Sequence, residues 1–331
     1  MTHYYIICLL SLLFALSFNA FAEQPISYNE CLLNAVKYHD HELTLGEVRS
    51  KCKTEAELAK NEQDLLSERM ANERKNAFNP YVITPHRMNY ILPVTYTNDV
   101  NKDAYAATGW EDSLKDVEAK FQISFKVPLN YDSMFVEGDG LFFGITLKSW
   151  WQVYADDISS PFRETNYRPE MFYFAPTPWT PLEGNTWVAF GIEHESNGRS
   201  QELSRSWNRI YTDFVFEKNN FALSLRPWWR IPEDEKETPE SADGDDNPDL
   251  EDYMGHFELS SAYRWDDYEF TFLGRQNFSE HKGYAELGLT FPLWGRLRGY
   301  AQYTTGYGES LIDYNHNQQR IGVGIALTDM L

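Results

Sequence analysis

The chain has 331 residues and a mass of 38.7 kDa, with 29 Lys and Arg against 50 Asp and Glu, a net charge of −21, and 16% aromatic residues. A mean hydropathy of −0.54 is too polar for a bundle of membrane helices. The acidic balance also argues against nucleic acid as a partner, because neutralising phosphates needs clustered Lys and Arg.

Residues 1–22 carry an apolar run from Ile6 to Phe18 and then Ala20-Phe21-Ala22, the small-x-small pattern of a signal-peptidase site. The expectation is a cleaved signal peptide over 1–22, although its first residues lack Lys and Arg. The run is also shorter than the roughly 20 residues a spanning helix needs. Cys31 and Cys52 remain after cleavage, and in an exported chain two cysteines suggest one disulfide. Residues 23–78 read as a short, partly helical periplasmic segment, with the polar stretch from Ala56 to Phe78 free of β-branched residues.

After Asn79-Pro80 the texture changes to short runs of Tyr, Phe, Trp and Thr that alternate with period two. Phe121, Ile123, Phe125 and Val127 face one way, and Gln122, Ser124 and Lys126 the other. The same pattern recurs over 221–229, 284–293 and 321–327. About a dozen segments of this kind, each near ten residues, predict an all-β fold: an antiparallel transmembrane β-barrel over 79–331. A soluble sandwich also alternates, but a barrel lumen tolerates inward charges such as Arg226 and Glu286. Trp150-Trp151, Trp228-Trp229 and Trp294 near strand ends suit aromatic girdles.

The segment 233–252 holds eleven acidic residues against Lys236 and is expected to be a solvated loop, broken by Pro239, Gly244 and Pro248. The chemistry-bearing stretch is 187–217. There Val188, Phe190, Ile192, His194 and Ser196 share one parity, as do Asn208, Ile210, Phe214 and Phe216 on the next strand. A hairpin that pairs His194 with Asn208 also pairs Ser196 with Ser206. It gathers a nucleophile, a base and an amide that orients the base on the lipid-facing surface. An Asn in place of the usual Asp keeps the orienting role and gives up the negative charge.

The blocks SSPFRETNY (159–167), HESNGRS (194–200), SRSWNR (204–209) and GYGESLIDYN (306–315) resemble the outer-membrane phospholipase A family in order and spacing, across roughly residues 80–331. The resemblance implies a twelve-stranded barrel with Ser196 as nucleophile, His194 as base and Asn208 orienting the histidine. It implies a calcium requirement, with Ser204 giving its side-chain oxygen and Arg199 its backbone carbonyl. Ser159 would add a carbonyl from the partner subunit of an active homodimer. The substrate implied is membrane phospholipid, hydrolysed at its acyl esters. The chain departs from barrel habit in ending on Leu331 instead of an aromatic. Its cysteine-bearing segment lies outside the resemblance. A non-enzymatic porin or adhesin, or a lipopolysaccharide deacylase, are the alternatives.

With a periplasmic N-terminal segment and a dozen strands, strand parity puts the loop between His194 and Asn208, the acidic segment 233–252 and the 308–314 loop on the extracellular side.

Overall fold

The computed structural model describes residues 28–37, 44, 46–52, 64–76, 78–79, 82–234, 236–238, 241, 244–295 and 297–328. The expected signal peptide, 1–22, and Leu331 lie outside the described residues. The chain divides into two compact units, 1–63 and 64–331. In the first, helix α1 (Tyr28–Lys37) is joined to the helical residues 46–52 by a Cys31–Cys52 disulfide with Cα atoms 5.6 Å apart.

The second unit is the barrel. Its strands are β1 (Tyr90–Thr97), β2 (Val117–Pro128), β3 (Gly140–Trp151), β4 (Phe162–Pro176), β5 (Asn185–Ser196) and β6 (Ser206–Lys218), followed by β7 (Phe221–Arg230), β8 (Phe257–Trp265), β9 (Tyr268–Asn277), β10 (Lys282–Trp294), β11 (Leu297–Tyr307) and β12 (Asn317–Ala326). Each is antiparallel to its sequence neighbours, and β12 pairs with β1, so the sheet closes and leaves no open edge. A two-residue strand, Thr84–Pro85, adds to β2 at Lys126 and Phe125. This is the expected architecture, and it follows from the period-two pattern: Ile123, Phe190, Ile192, Phe214, Leu287 and Val323 are exposed on the outer wall. Their neighbours Gln122, Glu193, Asp213, Thr290 and Gln302 are buried inside.

The lumen is lined by paired charge. Glu170 accepts from His86 Nε2 at 2.8 Å, Arg87 at 3.2 Å and Tyr211 at 2.5 Å. Arg163 lies 3.0 Å from both Glu118 and Asp313, and Glu309 is 2.8 Å from Lys120 and 2.9 Å from Arg320. Charges at such depth are tolerable because each meets an opposite charge in good geometry.

Two expectations change. The tryptophan pairs do not both join a girdle: Trp150 and Trp228 are buried inside, while Trp229 and Trp294 are exposed outside. Successive side chains of a strand must point to opposite faces, so only one of each pair can meet lipid. The 308–314 loop is packed at its end of the barrel, where Glu309 through Tyr314 fold inward and are buried. The acidic segment is not loop throughout. It ends in helix α3 (Leu250–Met254), whose Leu250 and Met254 pack on Trp207, Tyr211 and Trp228.

Helix α2 (Leu65–Asn76) belongs to the barrel unit and sits at the end that carries the short turns. The buried Glu217 of β6 receives the backbone N–H groups of Leu66 and Ser67 and the Ser67 hydroxyl, the last at 2.5 Å. A carboxylate at the free N–H groups of a helix start satisfies orphan donors and complements the dipole. Farther along, Glu73 lies 2.8 Å from Lys126 and 2.9 Å from Arg69. Despite its burial, these two cations hold the Glu73 carboxyl below its usual range. A depressed carboxyl contributes stability above its ordinary pKa of about 4.3, and that contribution is lost as pH falls through the lower folded value. Proteolysis within 64–76 is therefore expected to accelerate below about pH 4. In Lys126→Met, the same acceleration is expected already at neutral pH.

Candidate functional site

Strands β5 and β6 run side by side in the predicted register, with His194 opposite Asn208 and Ser196 opposite Ser206. Below them on the outer wall lie the exposed Phe190, Ile192, Ile210 and Phe214, so the polar cluster begins where the apolar band ends. Polar groups beside such a band are costly unless partnered. Here they are partnered: His194 Nδ1 is 2.9 Å from Asn208 Oδ1, and Asn208 Nδ2 donates to Glu233 Oε1 at 2.7 Å. Ser196 stands two residues along the strand from His194 on the same face, beside Tyr167 of β4. Among the described residues no hydrogen bond joins Ser196 to His194. Catalytic hydrogen bonds often tighten only around substrate.

The strand pair is held from within. Glu195, between His194 and Ser196 but facing the lumen, accepts from Trp207 Nε1 at 3.0 Å and Arg209 at 3.2 Å. The Arg209 guanidinium lies 3.9 Å from the Trp207 ring centre and also ion-pairs with Glu193. A buried, bidentate arginine stacked on an indole leaves the strand little freedom.

The loop after Ser196 is organised by Asn197, which is buried. Its side chain donates to Leu203 O at 2.7 Å and accepts the N–H groups of Arg199 at 3.2 Å and Arg205 at 3.0 Å. Gly198 turns the chain with φ of +63°, and a Cβ there would come within 3.4 Å of the Tyr167 ring. Arg199 reaches back to the carbonyls of Phe162 and Arg163 at 2.8 and 3.0 Å, which fixes its own backbone. Ser204 Oγ donates to Asp246 Oδ2 at 2.7 Å, and Ser206 Oγ lies 3.3 Å from the same oxygen. Asp246 Oδ1 is buried with no hydrogen bond, although the Lys236 ammonium lies against it.

Ser159 adopts a left-handed conformation with φ of 61° in the loop between β3 and β4. Among the described residues no hydrogen bond links it to Arg199 or Ser204. Among the described residues no three His, Cys, Asp or Glu side chains converge as a metal cage. The oxygens around Ser204 are hydroxyl, carboxylate and backbone carbonyl, the donor types a hard divalent cation accepts.

Sequence reasoning missed Asn197, Asp246 and Glu233. The last two were hidden in a run of acidic residues that read as solvated. Parity was the available signal, because Trp229, Ile231 and Glu233 continue the outward face of β7.

Comparisons with known proteins identify the family and agree with the barrel fold. The family model described as Phospholipase A1 matches residues 66–327. Phospholipase A1 of Escherichia coli K12 is 39% identical over 266 residues, covering 79% of this chain and 86% of that protein. The Klebsiella pneumoniae protein of the same name is 37% identical over 268 residues, covering 79% and 87%. The solved outer membrane phospholipase A of E. coli superposes with a TM-score of 0.72 at 39% identity, covering 79% of this chain and 98% of that one. A Salmonella typhi outer membrane phospholipase, solved as a dimer with bound calcium, gives 0.72 at 38% identity and the same coverage. The chain belongs to the phospholipase A1 family and is a β-barrel enzyme of the Gram-negative outer membrane.

Proposed function

We propose that the protein hydrolyses the acyl esters of membrane glycerophospholipids at an outward-facing Ser196, His194 and Asn208 triad. The observation that carries this reading is the 2.9 Å contact between His194 Nδ1 and Asn208 Oδ1, with Ser196 on the same lipid-facing surface. With the proton held on Nδ1 by the amide oxygen, Nε2 is free to take the Ser196 proton as Oγ attacks the ester carbonyl. The tetrahedral oxyanion so formed collapses, re-forming the carbonyl as the C–O bond to the glycerol breaks, and His194 gives the proton to the leaving alkoxide, releasing a lysophospholipid. Water then attacks the acyl-serine with His194 again as base, freeing the fatty acid.

Calcium is part of the same reading. Ser204 and Asp246, with the Arg199 carbonyl and a Ser159 carbonyl from a second copy, form a suitable oxygen set. Bound there, the cation would supply positive charge near the oxyanion that develops on the ester carbonyl. Ser204→Ala and Asp246→Asn are each expected to raise the calcium needed for half-maximal activity by about tenfold, the worth of one contact to a charged group. Unchanged calcium dependence in both variants would remove these two ligands from the account.

The proposed homodimer brings the Ser159 loop of one copy to the site of the other. Cross-linking that found a fully active monomer would defeat that part. Residues 1–22 direct export, 23–78 remain on the periplasmic side, and 79–331 form the phospholipase barrel with its site at the outer leaflet. The direct test is fatty-acid release from phospholipid by refolded protein in detergent, with calcium or a chelator. Release that persists at the full rate with chelator would defeat the metal requirement; absence of release under every condition would defeat the substrate class.

A further inference from the structure

We propose that Glu233 is a positioning residue for this reaction, fixing the amide of Asn208 and, through it, the tautomer of His194. The inference rests on the triad reading above and deepens it. The two ends of an Asn amide are nearly alike in shape, so Asn208 could present either end to the imidazole. If the NH2 end faced Nδ1, it would donate there. The ring proton would then sit on Nε2, the nitrogen that must accept from Ser196, and the base would be disabled.

Glu233 removes this ambiguity. An ionised carboxylate only accepts hydrogen bonds. With Glu233 Oε1 2.7 Å from Asn208 Nδ2, the NH2 end is committed to Glu233, and the carbonyl end is turned to His194 Nδ1 at 2.9 Å. The backbone holds Glu233 in place: Ile231 N–H donates to Asn208 O at 2.8 Å, extending the β6–β7 ladder beyond Arg230. Glu233 lies two residues farther on the same outward face, diagonal to Asn208.

The charge matters as well as the geometry. A carboxylate that polarises the amide strengthens the next hydrogen bond in the chain and favours the imidazolium formed during attack. It does so without a negative charge directly against His194. Other carboxylates near the strand pair are committed elsewhere. Glu193 pairs with Arg168 and Arg209, Glu195 with Arg209 and Trp207, and Asp246 with Ser204 and Lys236.

The test is a double-mutant comparison with kcat and KM measured separately on phospholipid in mixed micelles. Glu233→Ala is expected to lower kcat by about tenfold, the worth of a hydrogen bond to a charged group, with KM within about twofold of wild type. In an Asn208→Asp background the sign reverses. Residue 208 is then a symmetric carboxylate with no orientation to fix, and Glu233 only repels it, so Glu233→Ala leaves kcat unchanged or raises it. A residue that merely holds the loop together would cost the same in both backgrounds, and equal losses would overturn the proposal. So would an undiminished kcat for Glu233→Ala in the wild-type chain. Resistance of the folded barrel to SDS without heating, compared across the variants, checks that all four are folded. If Ser196→Ala retains full activity, the triad reading fails instead. If Ser196→Ala is inactive and Glu233→Ala is unaffected, only the role of Glu233 falls.

Discussion

His194→Ala is expected to lower kcat for phospholipid hydrolysis by about 10³-fold or more, with the barrel intact. The loss is large because His194 acts twice, taking the serine proton and returning it to the leaving group. A serine hydroxyl without a base is a weak nucleophile at neutral pH. Stability is spared because the histidine lies on the outer wall, outside the lumen network of Glu193, Glu195 and Arg209 that holds β5 to β6. Asn208→Ala should cost less than His194→Ala, since it removes the orienting group and leaves the base. Steady-state kinetics on the refolded variants check the order, and an Asn208→Ala loss greater than that of His194→Ala would contradict it.

Arg163→Met is expected to destabilise the barrel by about 3–5 kcal/mol, the cost of leaving buried charge uncompensated. Arg163 is 1% exposed and bridges Glu118 of β2 and Asp313 of the inserted loop, each at 3.0 Å. Its removal leaves Asp313 with only neutral donors, Ser310 at 2.7 Å and Gln318 at 3.4 Å. The inserted loop should then loosen around Asp313, leaving it held by Lys120 and Arg320 on Glu309, by Leu311 N–H to Asn166 at 3.0 Å, by Tyr314 Oη to Asp249 at 2.6 Å and by the apolar packing of Leu311 and Ile312. Lower pH should act in the same direction. Burial disfavours the charged forms of Glu309 and Asp313, yet Arg320 and Lys120 beside the first, and Arg163 and Ser310 beside the second, hold both carboxyls below their usual range. Their contribution is complete above the ordinary carboxylate pKa of about 4 and is lost as pH falls toward the depressed folded values. Protease access to residues 308–316 and the urea midpoint in detergent report both effects. A midpoint for Arg163→Met equal to that of wild type would contradict the first.

Much of this molecule is legible in its sequence because the strand period is two. Parity alone separates Phe190, Ile192 and His194 from Glu193 and Glu195, and one hairpin register aligns His194 with Asn208 and Ser196 with Ser206. The same rule corrects the reading of Trp150-Trp151 and Trp228-Trp229, where adjacency and a shared outward face are incompatible. The inserted loop was not legible. Nothing local marks Glu309 and Asp313 as buried; they are enclosed by Lys120 and Arg163, far away in sequence, and by Arg320 of β12. For the same reason helix α2 read as part of the N-terminal segment; its anchors, Glu217 and Lys126, lie far along the chain. Within the acidic segment, Glu233 and Asp246 differ from their neighbours only in what they touch.

The most direct measurement of the central claim is covalent labelling of the refolded protein with an acyl-mimicking phosphonate fluoride, with the adduct located by peptide mass spectrometry. One label per active chain on Ser196 is predicted. It should appear in step with loss of fatty-acid release and be suppressed in His194→Ala. A label on another residue, or full fatty-acid release by Ser196→Ala, would contradict the assignment of the nucleophile and with it the mechanism.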